Sequence, residues 1–206
     1  MPFQLVIISA AEHHSPELTV LPQLFEAGLA AFHVRKPAWS RAEMAAYLQA
    51  IPRQYQARLV LHAHYELALH YPVKGIHLTE KARQDATIGR LLRRLPGRSV
   101  SASLHSLAAV ARHRRRYDYV FLSPVFDSLS KAGYGSGLDL AKVAAFLPRL
   151  AARPGYRPAV LALGGITTQN LPLVQQAGFA GAAALGTIWQ SPDPVAAFRQ
   201  LQAAAT

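Results

Sequence analysis

The chain has 206 residues, no cysteine, and 22 Lys and Arg against 11 Asp and Glu, a formal net charge of +11. The missing cysteines exclude disulfides and thiolate metal sites, and no apolar run approaches the roughly 18 residues that span a bilayer. The length suits one large domain with an ample core, and the charge favours anionic partners, from phosphorylated metabolites to nucleic acid.

Phe3 to Ser9 reads as a continuous apolar strand. The stretch from Met1 to Ile8 lacks the basic n-region of a signal peptide, so a cytoplasmic protein with no membrane association is expected. Pro16-Glu17-Leu18 opens a helix running to Gly28, and 30–36 forms a second strand. Ser40, with Glu43 three residues on, is a capping box for the next helix. Strand three covers 58–62, a short helix 65–71 and strand four 75–78. Thr79 starts a helix running to Gly97, followed by strand five at 98–103 and a helix at 106–116. That helix ends in Arg112-His113-Arg114-Arg115-Arg116, where cations complement the helix dipole. No aromatic residues interleave with these arginines and no nucleic-acid module accompanies them, so no nucleic-acid partner is expected. Strand six is 118–122, and the longest irregular stretch follows, 123–137. The remaining elements are a helix at 138–150, strand seven at 158–163, a helix at 168–177, strand eight at 181–185 and a closing helix at 192–204.

Strands apolar on both faces that alternate with helices imply a parallel sheet covered on both sides. Eight such units without a linker predict an α/β fold, a single-domain (β/α)8 TIM barrel spanning 1–206, with a doubly wound sheet as the alternative.

In such a barrel the chemistry lies at the C-terminal strand ends. These positions hold Ser9, His33 and Arg35, His62 and His64, His77, Ser103 and His105, and Ser123. Four successive strands thus end in or near a histidine, a residue suited to acid–base work near neutral pH or to metal ligation. Carboxylates are scarce among these positions, so no metal site is expected. His62, His105 and His33 are the candidate acid–base residues. Arg35, Ser103 and the loop residues Ser128, Ser130 and Lys131 are candidate substrate contacts, Lys131 as a mobile point charge on a lid. The last two strands stop at glycine before a helix, at Gly164-Gly165 and at Gly186-Thr187. Bare amide N–H groups at these corners predict a phosphate clamp, with Thr167 as the cap of the helix that follows the first.

The order and spacing of several segments resemble thiamine-phosphate synthase and its TenI relatives, the thiazole tautomerases. The matching segments are Phe32-His33-Val34-Arg35-Lys36, Gly75-Ile76-His77-Leu78, Ser103-Leu104-His105-Ser106, 118–126, Lys131, Ala162-Leu163-Gly164-Gly165-Ile166 and Leu185-Gly186-Thr187-Ile188. The resemblance implies a barrel that binds a thiazole phosphate at Gly164, Gly165, Gly186 and Thr187.

The synthase joins a pyrimidine diphosphate to that phosphate with Mg²⁺ held by aspartates. Its Asn-Asp-Arg element stands here as His62-Ala63-His64, and Ala82 takes the place of its second aspartate. Its Gln-x-Arg-Glu-Lys element reads His33-Val34-Arg35-Lys36-Pro37. His33-Val34-Arg35 resembles the tautomerase subgroup, but that subgroup's catalytic histidine falls at Pro124.

The expected activity is therefore a metal-independent, TenI-like thiazole tautomerase (an isomerase) with no cofactor. The alternatives are a thiamine-phosphate synthase, a transferase for which Mg²⁺ is the cofactor, and a non-catalytic phosphate-ligand-binding or regulatory homologue. The expected partner is a phosphorylated thiazole, and a homodimer is left open.

Overall fold

The computed structural model describes residues 3–10, 16–126 and 138–205. Eight parallel strands close in sequence order into a barrel: β1 (Gln4–Ile8), β2 (Phe32–Val34), β3 (Leu59–Leu61), β4 (Gly75–Leu78), β5 (Ser99–Leu104), β6 (Tyr119–Leu122), β7 (Ala159–Leu163) and β8 (Gly181–Ala184). β8 pairs with β1 in the register Gln4–Gly181 to Ile7–Ala184, which closes the ring.

Around the strands run α1 (Glu17–Glu26), α2 (Arg41–Ala50), α3 (Arg53–Gln56), α4 (Glu80–Gln84), α5 (Ile88–Arg93), α6 (Leu107–Arg112), α7 (Leu140–Ala151), α8 (Leu171–Gln176), α9 (Gly186–Trp189) and α10 (Pro194–Ala204). The capping box predicted before α2 is present: Ser40 Oγ accepts from the Glu43 amide, and Glu43 accepts from the Ser40 amide.

Successive strand residues point alternately into and out of the barrel. The outward set, including Ile7, Phe32, Leu59, Leu61, Ile76, Val120 and Ala162, packs with Leu21, Leu24, Leu48 and Phe198 of the helices. The inward apolar set is smaller: Val6, Ile8, Ala31, Val60, Tyr119, Phe121, Leu161 and Ala183. Between these apolar side chains the middle of the barrel carries polar ones, His33, His77 and Ser101, all buried. Gly75 and Gly181 let neighbouring strands approach closely. A Cβ at Gly75 would lie 2.0 Å from the Ser99 carbonyl oxygen, and one at Gly181 2.2 Å from that of Gln4.

The barrel seam carries a further tie. The Trp189 indole N–H donates to the Ile8 carbonyl at 2.7 Å.

The structure shifts several predicted boundaries. The single helix expected from Thr79 to Gly97 is two, α4 and α5, because Asp85 accepts from both the amide and the hydroxyl of Thr87 and turns the chain between them. The segment expected as a short helix at 65–71 is a 3₁₀ turn over Tyr65–Leu69. α8 begins at Leu171, so Thr167 does not cap it directly. Instead Thr167 and Asn170 exchange side-chain-to-amide hydrogen bonds across the turn that precedes it. The basic run does follow α6, as its charge pattern predicted.

Candidate active site at the barrel mouth

A cavity of about 380 Å³ opens at the C-terminal ends of the strands. Ile8, Leu163 and Leu185 form its apolar wall, and Arg35, His62, His77, Glu80, Ser103, His105 and Ser123 supply its polar groups.

Each polar group is positioned by a strand end. Ser9 Oγ accepts from the Arg35 amide at 2.8 Å and donates to the Arg35 carbonyl at 3.2 Å, tying the end of β1 to that of β2. The Arg35 backbone is thereby fixed while the residue stays exposed. The next residue points the other way: Lys36 is buried outside the barrel, with its Nζ 2.6 Å from Glu17 Oε2. His105 Nδ1 lies 3.1 Å from the Ser123 carbonyl oxygen, which links the ends of β5 and β6.

His62 and His77 form the floor of the cavity, their rings stacked at 4.2 Å and 14°. His33 was expected at the mouth, but the structure sets it below this floor with no exposure. Its Nδ1 lies 2.9 Å from His62 Nε2, and its Nε2 accepts or donates at 2.7 Å to the Tyr119 hydroxyl. Facing inward two residues before Arg35, the His33 side chain lies deeper than the cavity and meets it only through His62. Burial holds the imidazoles of His33, His62 and His77 well below their usual range, His77 at about 3. The charge of Arg35 adds to this for His62 and His77. All three are neutral at physiological pH.

His64 takes no part in the cavity. Its backbone is left-handed at φ 50° and its Nε2 lies 2.8 Å from the Trp39 carbonyl, so the two side chains of His62-Ala63-His64 diverge. Ser128, Ser130 and Lys131 lie outside the described residues.

The two glycine corners border the same mouth, directly after the cavity residues Leu163 and Leu185. Gly164 and Gly165 have φ of +105° and +60°, conformations that side chains rarely adopt. A Cβ at Gly164 would sit 3.0 Å from Pro124 Cα and Cβ. Asn170 Nδ2 donates to the Gly165 carbonyl at 2.7 Å, and the Thr187 hydroxyl donates to the Ile166 carbonyl, joining one corner to the other. The first amides of α9, at Gly186 and Thr187, have no partner within the helix.

Two groups escaped the sequence reading. Tyr119 opens β6 and Ser101 lies within β5, both away from the C-terminal strand ends, and residues there carry no signal that distinguishes a hydrogen-bonded role from packing.

Residues 4–188 match the family described as thiamine monophosphate synthase. The chain belongs to the thiamine monophosphate synthase family. It is 27% identical over 193 residues to a thiamine-phosphate synthase of Listeria monocytogenes serotype 4a, covering 89% of this chain and 86% of that one. It is 30% identical over 155 residues to a thiamine-phosphate synthase of Bacteroides fragilis, covering 74% of each. Among solved structures, a thiamine phosphate pyrophosphorylase from Bacteroides thetaiotaomicron superimposes with a TM-score of 0.77 at 27% identity, covering 98% of both chains. These names support a transferase rather than the isomerase expected from the sequence.

The Mg²⁺ associated with this synthase family does not fit the described residues. Glu80 is the one carboxylate among the described residues lining the cavity, and it is exposed on the first turn of α4. The remaining groups are imidazoles, hydroxyls and a guanidinium, a poor set for a hard cation that takes oxygen ligands.

Replacing Gly164 by Ala is expected to weaken binding of a thiazole phosphate about tenfold, because a Cβ there strains a positive-φ corner and presses on Pro124. Isothermal titration against the wild type checks this, and an unchanged Kd removes the corner from the binding site.

Proposed function

We propose that this chain is a thiamine-phosphate synthase that couples a pyrimidine diphosphate to a thiazole phosphate in the cavity at the barrel mouth. The carrying observation is the arrangement of that rim. Arg35 stands at the end of β2, and the glycine corners after β7 and β8 lie beyond the wall formed by Leu163 and Leu185. The family match over 4–188 and the names of the relatives support the same reading.

In this reaction the thiazole ring nitrogen attacks the methylene carbon of the pyrimidine. A C–N bond forms, the C–O bond to the diphosphate breaks, and inorganic diphosphate leaves. The amides of Gly164, Gly165, Gly186 and Thr187 hold the thiazole phosphate, since backbone N–H groups at strand-to-helix corners suit a phosphoryl group. Arg35 faces the diphosphate, where a fixed guanidinium stabilises the charge that develops on departure. Ser103 and His105 line the space between the two, and Leu163 and Leu185 exclude water from the reacting atoms. Ser128, Ser130 and Lys131 are assigned to substrate contact on the sequence alone.

The test is to incubate the protein with both precursors, with and without Mg²⁺, and identify the products. Thiamine phosphate is expected, and Arg35→Ala is expected to lower its rate roughly 100-fold while leaving the affinity for thiazole phosphate within about twofold of wild type. No coupling under any condition overturns the reading.

A second reading, a tautomerase-like proton shift on a thiazole phosphate, has one specific observation in its favour. The synthase's two aspartates stand here as Ala63 and Ala82, and the cavity floor carries a neutral imidazole, His62, backed by His33 at 2.9 Å. In this reading His62 and His105 are the acid–base residues that reach the substrate, and His33 acts through His62.

A further inference from the structure

The polar groups inside the barrel are joined end to end. Ser103 Oγ lies 2.9 Å from His77 Nε2, and His77 Nδ1 lies 2.9 Å from Ser101 Oγ. Ser101 and Tyr119 are register partners on β5 and β6, and the Ser101 hydroxyl acts on the Tyr119 phenol as a hydrogen-bonding neighbour that offsets part of the upward push of burial. The Tyr119 hydroxyl lies 2.7 Å from His33 Nε2, and His33 Nδ1 lies 2.9 Å from His62 Nε2. Both terminal members, His62 and Ser103, line the cavity at the mouth. We propose that these six residues form a proton relay that leaves the cavity at one point and returns to it at another.

Every member is able both to donate and to accept. A hydroxyl carries one proton and free lone pairs, and a neutral imidazole carries one N–H and one bare nitrogen. Burial keeps all three imidazoles neutral. No carboxylate or ammonium interrupts the chain, so no member pins the direction of the bonds.

The chain therefore has two states of equal charge. In one, Ser103 donates to His77, His77 to Ser101, Ser101 to Tyr119, Tyr119 to His33 and His33 to His62, whose Nδ1 carries a proton. In the other, every bond is reversed, His62 Nδ1 is bare and the Ser103 hydroxyl hydrogen faces the cavity. Passing from the first state to the second delivers one proton from His62 Nδ1 and takes up one at Ser103 Oγ. Protons balance and no charge is left inside the barrel, where an ion would be costly. This suits a substrate that gains a proton at one atom while losing it at another, a planar heterocycle with two tautomers. The inference rests on the second reading above for its substrate and on geometry alone for the relay.

The same three histidines place ligand atoms within 4.8 Å of one another, a separation compatible with a metal. The geometry favours the relay. Imidazole lone pairs lie in the ring plane, and the stacked rings of His62 and His77 aim theirs side by side rather than at a common point. Both nitrogens of His33 and both of His77 already have partners.

Tyr119, Ser101 and His33 act as positioning residues through His62 and Ser103, so the test reads the relay without substrate first. In ¹⁵N-histidine-labelled protein, long-range ¹H–¹⁵N spectra report each tautomer. Tyr119→Phe is expected to shift the tautomer populations of both His33 and His77, on opposite sides of the break. Ser101→Ala serves as the second break if that variant does not fold. An unchanged His77 in Tyr119→Phe overturns the relay, as does uptake of one Zn²⁺ per chain that replaces the His33–His62 bond.

The second measurement follows the two thiazole phosphate tautomers in D₂O. Wild type is expected to interconvert them with incorporation of solvent deuterium, and Tyr119→Phe is expected to slow this roughly 100-fold at unchanged Kd. Retention of the abstracted proton in the product overturns the two-ended route. Coupled tautomers without any interconversion leave the relay standing and overturn the tautomerase reading.

Discussion

Lowering the pH from 7 to 5 is expected to destabilise the barrel, His77 alone removing about 2 kcal/mol. The cause is the trio His33, His62 and His77, whose imidazoles burial holds far below their usual range. Arg35 opposes protonation of His62 and His77, Lys74 that of His33, and Arg83 that of His77. In the unfolded chain each titrates near 6.5, roughly its free value. Above that pH both states are neutral and stability is flat. Below it the unfolded chain takes up protons that the folded barrel refuses, so stability falls as pH falls, for His77 down to about 3. His77 contributes roughly 1.4 kcal/mol per pH unit across this range, and His33 and His62 act in the same direction. Carboxylates titrate near 4, so the window from 6.5 to 5 belongs to the histidines. Urea unfolding midpoints measured between pH 7.5 and 5 check this, and a constant midpoint across that range rules it out.

The second large effect is expected from Lys36→Met, a loss of about 3–5 kcal/mol. Lys36 and Glu17 meet at 2.6 Å with side chains 1% and 2% exposed, so neither is solvated. The Tyr47 hydroxyl donates to the other carboxylate oxygen, Oε1, at 2.5 Å, and the ammonium lies 5.0 Å from the Trp39 ring centre. Removing the ammonium strands a carboxylate in an apolar layer between β2, α1 and α2. The buried carboxylate also helps to hold the Tyr47 phenol above its usual range, after burial itself. Thermal unfolding is the measurement, with a drop of roughly 6–20 °C expected. The double variant Glu17→Gln with Lys36→Met is expected to recover much of the loss, because it leaves no ion unpaired. A single variant as stable as wild type refutes the account.

The fold was legible because the chain alternates two periods: short apolar runs fit strands covered on both faces, and capped amphipathic segments fit helices. The strand ends at Arg35, His62, Ser103 and His105 were legible too, since a barrel puts its cavity there. Depth was not. His33 and Arg35 face the same side of β2 two residues apart, but only the later one reaches the mouth. Sequence spacing gives the side of a strand and not the level in the barrel. The role of Lys36 was equally hidden, because its partner Glu17 is 19 residues away on another element. Ser128, Ser130 and Lys131, expected as substrate contacts, lie outside the described residues. The missing aspartates led the sequence reading to put the isomerase first and the transferase second, where the relatives' names support the transferase.

The bond between the Trp189 indole and the Ile8 carbonyl spans 181 residues of chain and lies across the first and last strands. One of the two tryptophans therefore reports optically on that junction, while the other, Trp39, is seated against Tyr47. With Trp39 replaced by phenylalanine, ultraviolet emission becomes a single-site readout of when the two ends of the polypeptide meet during refolding.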